Sequence, residues 1–160
     1  MPNYCLNRLE IIAEPEVRDH FIAAHNGVLS FSRLVPLREN TPDNAIERWG
    51  TKWDIVDQHV AINPYRTRFE TPWTPPRWWL QNVARQYPDI SFQLKYYEPG
   101  VGFHGTIWAS GLDYEDQRIE GIERCGVCDR RPRALWTALH WSRCVECQGI
   151  PDDVLPPPRR

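Results

Sequence analysis

Apolar and polar positions change their period several times along this chain, and each change predicts an element. Residues 4–13 alternate: Cys5, Leu9, Ile11 and Ala13 fall on one face, with Asn7 interrupting it, which reads as a strand. Glu14-Pro15 then opens a helix with proline in its first turn. Val17, Phe21 and Ala24 recur at helical spacing, and Asn26-Gly27 is a stop signal. Residues 31–40 read as an extended loop, and a short capped helix begins near Thr41 and runs to Trp49. Val60 and Ile62 suggest a strand ended by Asn63-Pro64. Residues 66–73 suggest its hairpin partner, with Thr67, Phe69, Thr71 and Trp73 on one side.

Thr74-Pro75-Pro76 has the form of a helix start, a hydroxyl cap followed by proline. Trp79, Leu80, Val83, Ala84 and Tyr87 form the apolar stripe behind it, and Pro88 ends it. Over residues 90–97, Ile90, Phe92, Leu94 and Tyr96 alternate with Ser91, Gln93, Lys95 and Tyr97. That pattern predicts a strand with one buried and one wet face. Residues 106–109 suit a last edge strand. The order β-α-β-β-α-β with one extra strand predicts an α+β fold of the ferredoxin-like, split-βαβ kind. Its antiparallel sheet would carry two helices on one face. The RNA-recognition motif shares this order, but the outward residues here offer no row of aromatics and no RNP-like pattern occurs.

Composition narrows the class without naming a partner. Apolar residues make up 41% and charged residues 25% of 160 positions, ordinary values for a folded chain. No apolar run approaches the roughly eighteen residues of a membrane span, and the N-terminus lacks a signal-like region, so a cytoplasmic protein is expected. The formal charge of -2 gives no reason to expect nucleic acid. The distribution differs from the total: residues 1–122 hold 12 Lys or Arg against 16 Asp or Glu, and residues 123–160 hold 7 against 5.

The strongest chemical signal lies in that second stretch. Cys125 and Cys128 form one CxxC pair and Cys144 and Cys147 another, with a loop between them of the length zinc modules use. Each pair presents two sulfurs to one metal, and four thiolates close the tetrahedron around a structural Zn²⁺. His140 is then left to packing beside Trp136 and Trp141. Arg124, Arg130, Arg131, Arg133 and Arg143 surround the site. They would offset the charge of the metal–thiolate centre through N–H···S contacts or meet phosphates. The fifth cysteine, Cys5, reads as a small buried residue. These boundaries predict a ferredoxin-like domain over 1–120, a zinc module over 121–150 and a Pro/Arg tail over 151–160.

Outside the cysteines the candidates are weaker. Gly100, Gly102 and Gly105 spell GxGxxG, but a β-prone stretch follows where a dinucleotide site needs a helix, so a turn between strands explains them better. His104 with Glu98 would be a base and its orienter, and Lys52 a third member, though no nucleophile motif accompanies them. Lys52 and Asp54 are the best candidates for a polar feature at a crevice. Trp49 and Trp53, four residues apart, are expected to divide between core and surface. Trp79 belongs to the buried stripe, with Trp78 on its shoulder.

Several stretches carry a family resemblance. They are the opening MPNYCLNRL, FSRLVP from Phe31, WGTKWD from Trp49, FETPWTPP from Phe69 and YEPGVGFHG from Tyr97. Together they resemble the YubB-type ferredoxin-like family of small phage and plasmid proteins, and the cysteine module is similar to zinc-ribbon or treble-clef tails. The resemblance implies a ferredoxin-like fold and a mobile-element origin, and supplies no catalytic residues. The expected function is therefore a non-enzymatic accessory protein that binds a host macromolecule, a protein before a nucleic acid, in counter-defence or host takeover. The expected contacts are Arg130, Arg131, Arg133, Trp136, Trp141, Arg143, Trp49, Lys52 and Trp53. DNA or RNA binding through the arginine-bearing zinc loop is the alternative, and a nucleotide- or nucleic-acid-processing enzyme the third reading.

Overall fold

The computed structural model describes residues 3–98 and 100–120. The zinc ligands Cys125, Cys128, Cys144 and Cys147 lie outside the described residues. So do Arg130, Arg131, Arg133, Trp136, Trp141, Arg143 and the 151–160 tail.

In chain order the elements are β1 (Tyr4–Ile12), α1 (Pro15–Ala24), α2 (Phe31–Leu34), α3 (Pro42–Trp49) and β2 (Thr67–Pro72). Then come α4 (Arg77–Gln86), β3 (Ser91–Glu98), β4 (Phe103–Ser110) and β5 (Asp113–Glu120). The strands form one sheet in the order β2-β1-β3-β4-β5, with every neighbouring pair antiparallel. This is an α+β fold of the ferredoxin-like kind. Several expected details change. The pair of strands around Asn63 is absent, because residue 61 makes only an isolated bridge to Val28, and β2 pairs with β1 instead. Residues 31–34 are helical rather than extended. Strand β4 is longer than expected and is not the edge, since β5 pairs along its whole length.

Register decides which side chains meet. Cys5, Leu9 and Ile11 of β1, Phe69 of β2, Phe92, Leu94 and Tyr96 of β3, and Phe103, Ile107 and Ala109 of β4 share one face. They join Phe21 of α1, Phe31 of α2, Trp49 of α3 and Trp79, Leu80 and Val83 of α4 in a single core. All four helices therefore pack on that face. Helix α3 begins where Thr41 Oγ1 accepts from the Asn44 N–H, as its sequence predicts. Helix α4 does not use Thr74 as its cap: the Thr74 hydroxyl donates to the Gly50 carbonyl at 2.6 Å.

Asn7 keeps the β1 alternation although it is polar, and it is buried on the core side. Its amide donates to the Cys5 carbonyl at 2.9 Å and to Thr71 Oγ1 at 2.8 Å, which removes most of the penalty for burying it. The outward face of β3 is also less wet than its alternation implies, since Gln93 and Tyr97 are buried. As a central strand, β3 gives each outward residue a neighbour on both sides: Leu6 and His104 flank Tyr97, and Glu10 and Trp108 flank Gln93.

Gly105 shows why a glycine from the GxGxxG stretch is needed. A Cβ there would overlap the Tyr96 hydroxyl and the Gln117 carbonyl. Its absence lets Tyr96 pass over β4 and donate to Asp116 of β5 at 2.7 Å. Gly105→Ala is accordingly expected to destabilise the fold by about 1–3 kcal/mol through overpacking, read from the urea midpoint. An unchanged midpoint would show that Tyr96 has room to move aside.

Candidate functional site

The segment 49–54 gives almost every residue a separate task. Trp49 closes α3 from inside the core: its indole Nε1 donates to the Val35 carbonyl at 2.7 Å, and its ring meets Phe31 edge-on at 5.8 Å. Gly50 follows at φ 85°, the left-handed geometry that ends helices. A Cβ on it would come within 3.0 Å of the Arg77 side chain. Thr51 is buried and its hydroxyl donates to the Trp53 carbonyl at 2.7 Å. Asp54 accepts from its neighbour Ile55 N–H at 2.8 Å. It also accepts from the Phe31 and Ser32 N–H groups at 2.9 and 3.1 Å, capping α2 from 23 residues away.

These bonds fix the backbone on both sides of Lys52 and Trp53 and leave their side chains outside. Trp53 is 43% exposed, although its size and chemistry favour burial. The Lys52 ammonium lies over the Trp73 ring, 4.7 Å from its centroid. Of the expected contact residues in the body, Trp49 is thus placed in the core, while Lys52 and Trp53 stand side by side at the surface. The expected Lys52/Asp54 polar pair is not assembled, because Asp54 is committed to α2. Trp73 was expected at the end of a strand, with its indole open between core packing and an interface. The structure places it beside this loop, beneath the Lys52 ammonium.

The proposed base and orienter do not meet. Glu98 is fully buried on the core side of β3, and its carboxylate accepts from the Gly100 and Val101 N–H groups, closing the turn into β4. His104 pairs with Tyr97 and belongs to the opposite face. Cys5 is no nucleophile: burial first, and the nearby Glu98 charge second, hold its thiol well above the ordinary range.

The face without helices carries a feature that no local sequence window reveals. Arg68, Arg8 and Lys95 stand opposite one another on β2, β1 and β3. Neighbouring rows hold Glu70 on one side and Glu10 and Glu115 on the other, and Arg8 pairs with Glu10 at 2.8 Å. Burial, then the Arg8 charge, lowers the Lys95 pKa from its ordinary value. Burial also lowers that of Arg8. Trp108 is 42% exposed beside this row. Positive and negative rows alternate, so the face has little net charge.

Among the described residues no group of His, Cys, Asp and Glu is arranged to hold a metal. No helix among them is long and apolar enough to cross a membrane. Residues 48–125 match the family described as the ferredoxin-like domain in Api92-like protein, a stretch that begins at this loop and runs through the rest of the sheet. Comparison with curated proteins and with solved structures gives no match.

Asp54→Ala removes the acceptor for the Phe31, Ser32 and Ile55 N–H groups together. It is expected to cost about 1–3 kcal/mol in a urea titration, with Phe31 losing its fixed place. A loss no larger than that of an ordinary surface substitution would show that α2 is held by packing alone.

Proposed function

We propose that this chain is a non-enzymatic binding protein of a phage or plasmid that docks on a host protein through Lys52 and Trp53. The observation that carries this is the display of Trp53. Thr51, Asp54 and Ile55 lock the backbone around it, and its large apolar surface is left to a partner. A rigid tryptophan beside a cation is the composition of an interface anchor, because little conformational freedom is lost when it is covered. The fitting partner surface is an apolar recess with a carboxylate at its rim. Glu98 and His104 lie on opposite faces of the sheet, so the third reading loses the base and orienter it was built on.

In this reading Cys125, Cys128, Cys144 and Cys147 hold one structural Zn²⁺, and Trp136, Trp141, Arg130, Arg131, Arg133 and Arg143 extend the contact surface. The YubB-type resemblance supports a role inside the host bacterial cytoplasm, in counter-defence or host takeover. Nucleic-acid binding is the second reading, favoured by the aligned Arg68, Arg8 and Lys95. It stands second because Glu70, Glu10 and Glu115 bracket that row and cancel the field a polyanion would need.

Tagged protein is expected to retain a bacterial protein from nuclease-treated lysate, and Trp53→Ala to lose it while its melting changes by no more than about 0.5 kcal/mol. Equal retention by Trp53→Ala overturns the anchor. Retention that disappears with nuclease in the wild type moves the function to the second reading. Cys128→Ser is expected to abolish the single equivalent of bound zinc measured by mass spectrometry and to leave the thermal transition of residues 1–120 in place. Loss of that transition would show that body and zinc module fold as one.

A further inference from the structure

The sheet face opposite the helices is sealed at one end and open at the other, and β4 shows the contrast on its own. Trp108 and His104 both belong to this face, and each has a paired strand on either side. Trp108 is nevertheless 42% exposed and His104 only 2%. Tyr97, opposite His104 on β3, is likewise 2% exposed. Flanking strands shield the sides of a side chain that stands up from a sheet, and not its top, so a layer lies over this pair. Among the described residues nothing supplies it. All four helices pack against the other face, and Val101, in the turn between β3 and β4, is itself 71% exposed. The sealed row runs from Leu6 through Tyr97 and His104 to Ile119, one residue before the end of β5.

We infer that the chain following Glu120 turns back across this end of the sheet, and that residues 121–150 are the layer over Tyr97 and His104. The chain leaves β5 one residue beyond Ile119, so the stretch that follows starts at the edge of the sealed row. It meets that row at the high effective concentration of a short tether. The same stretch carries Ile122, Val127, Leu135, Leu139, Val145 and Ile150, and it is too short to bury them all by itself. The rings of Tyr97 and His104 offer those groups an apolar seat. Lys95, two residues before Tyr97 on the same face, agrees with such a cover, since burial is the first cause of its lowered pKa. The core lies on the opposite side of the sheet, so the body keeps a folding transition of its own. The inference needs neither the Trp53 anchor nor the metal, and it gives the four-cysteine stretch a place on the body.

The test attaches a short photoactivatable diazirine to the lysines of the full-length protein and maps the coupled peptides by mass spectrometry after irradiation. Lys95 is the native attachment point on this face, and Thr106→Lys adds a second in the same row. An equal mixture of ¹⁴N- and ¹⁵N-labelled protein separates couplings within one chain from couplings between two. Both positions are expected to couple to residues 121–150 of their own chain. Ile12→Lys, at the open end of the same face and about 20 Å away along the strands, is expected to lose that coupling. Trp53→Ala is expected to leave the pattern unchanged, which separates this contact from the anchor, whose failure is read in lysate retention. Couplings confined to residues 1–120 overturn the inference, and so does equal coupling from Ile12→Lys, which would mean a segment without a fixed seat. Couplings that join two chains overturn it as well and assign the cover to a second copy.

Discussion

The carboxylate of Asp54 is the constraint on which the packing of α2 against α3, β2 and α4 depends. Helix α2 has only four residues, too few to be stable by its own hydrogen bonds. Asp54 supplies acceptors for its first two N–H groups and so fixes Phe31 in the core. Phe31 in turn meets Trp49, Phe69 and Trp79, which belong to α3, β2 and α4. One exposed loop thereby controls the junction of three elements. The same bonds hold Lys52 and Trp53 in place, so the fold's organising contact and the candidate binding surface are built from adjacent residues.

The tryptophans divide by what surrounds their polar atom. Trp49 is buried with its indole nitrogen bonded to Val35, and Trp53 is exposed in a loop whose backbone is already satisfied. Trp78 stacks on Tyr114 of β5 at the shoulder of α4, half in contact and half outside. Among the described tryptophans, Trp73 combines a left-handed backbone, an unbonded nitrogen and a cation on its ring. Residues of one type thus fill the core, stand at the surface and occupy a positive-φ turn within about 30 positions of chain.

Local pattern carried much of this architecture. The alternation of β1, the Thr41 cap of α3 and the apolar stripe of α4 all appear where periodicity and capping predict them. A division of Trp49 and Trp53 between core and surface was expected, but not from their spacing, which on one helical turn would put both on one face. The helix ends at Gly50, between them. Four features were not legible. Helix α2 was unreadable because its cap comes from a residue 23 positions later. The segment around Val60 and Ile62 carries strand-like residues, yet only a single bridge to residue 28 is available to it. Strand β5 is polar on both faces, since the edge it occupies leaves most of its residues exposed. The row Arg68–Arg8–Lys95 and the strain at Trp73 exist only once non-local register and turn geometry are set.

The buried Asn7 has a consequence for how the sheet assembles. Strand β2 must find β1 across more than 50 intervening residues, and its own composition, mainly threonine and charged positions flanking Phe69, gives several alignments nearly equal apolar contact. Only the native alignment brings the Thr71 hydroxyl to the Asn7 amide. A shifted alignment would part Thr71 from that amide and leave one of its two donors to find another acceptor in the core, a cost of about 1–3 kcal/mol if it finds none. A polar side chain in the middle of the first strand thus works as a proofreading element. It rewards one partner alignment over the others.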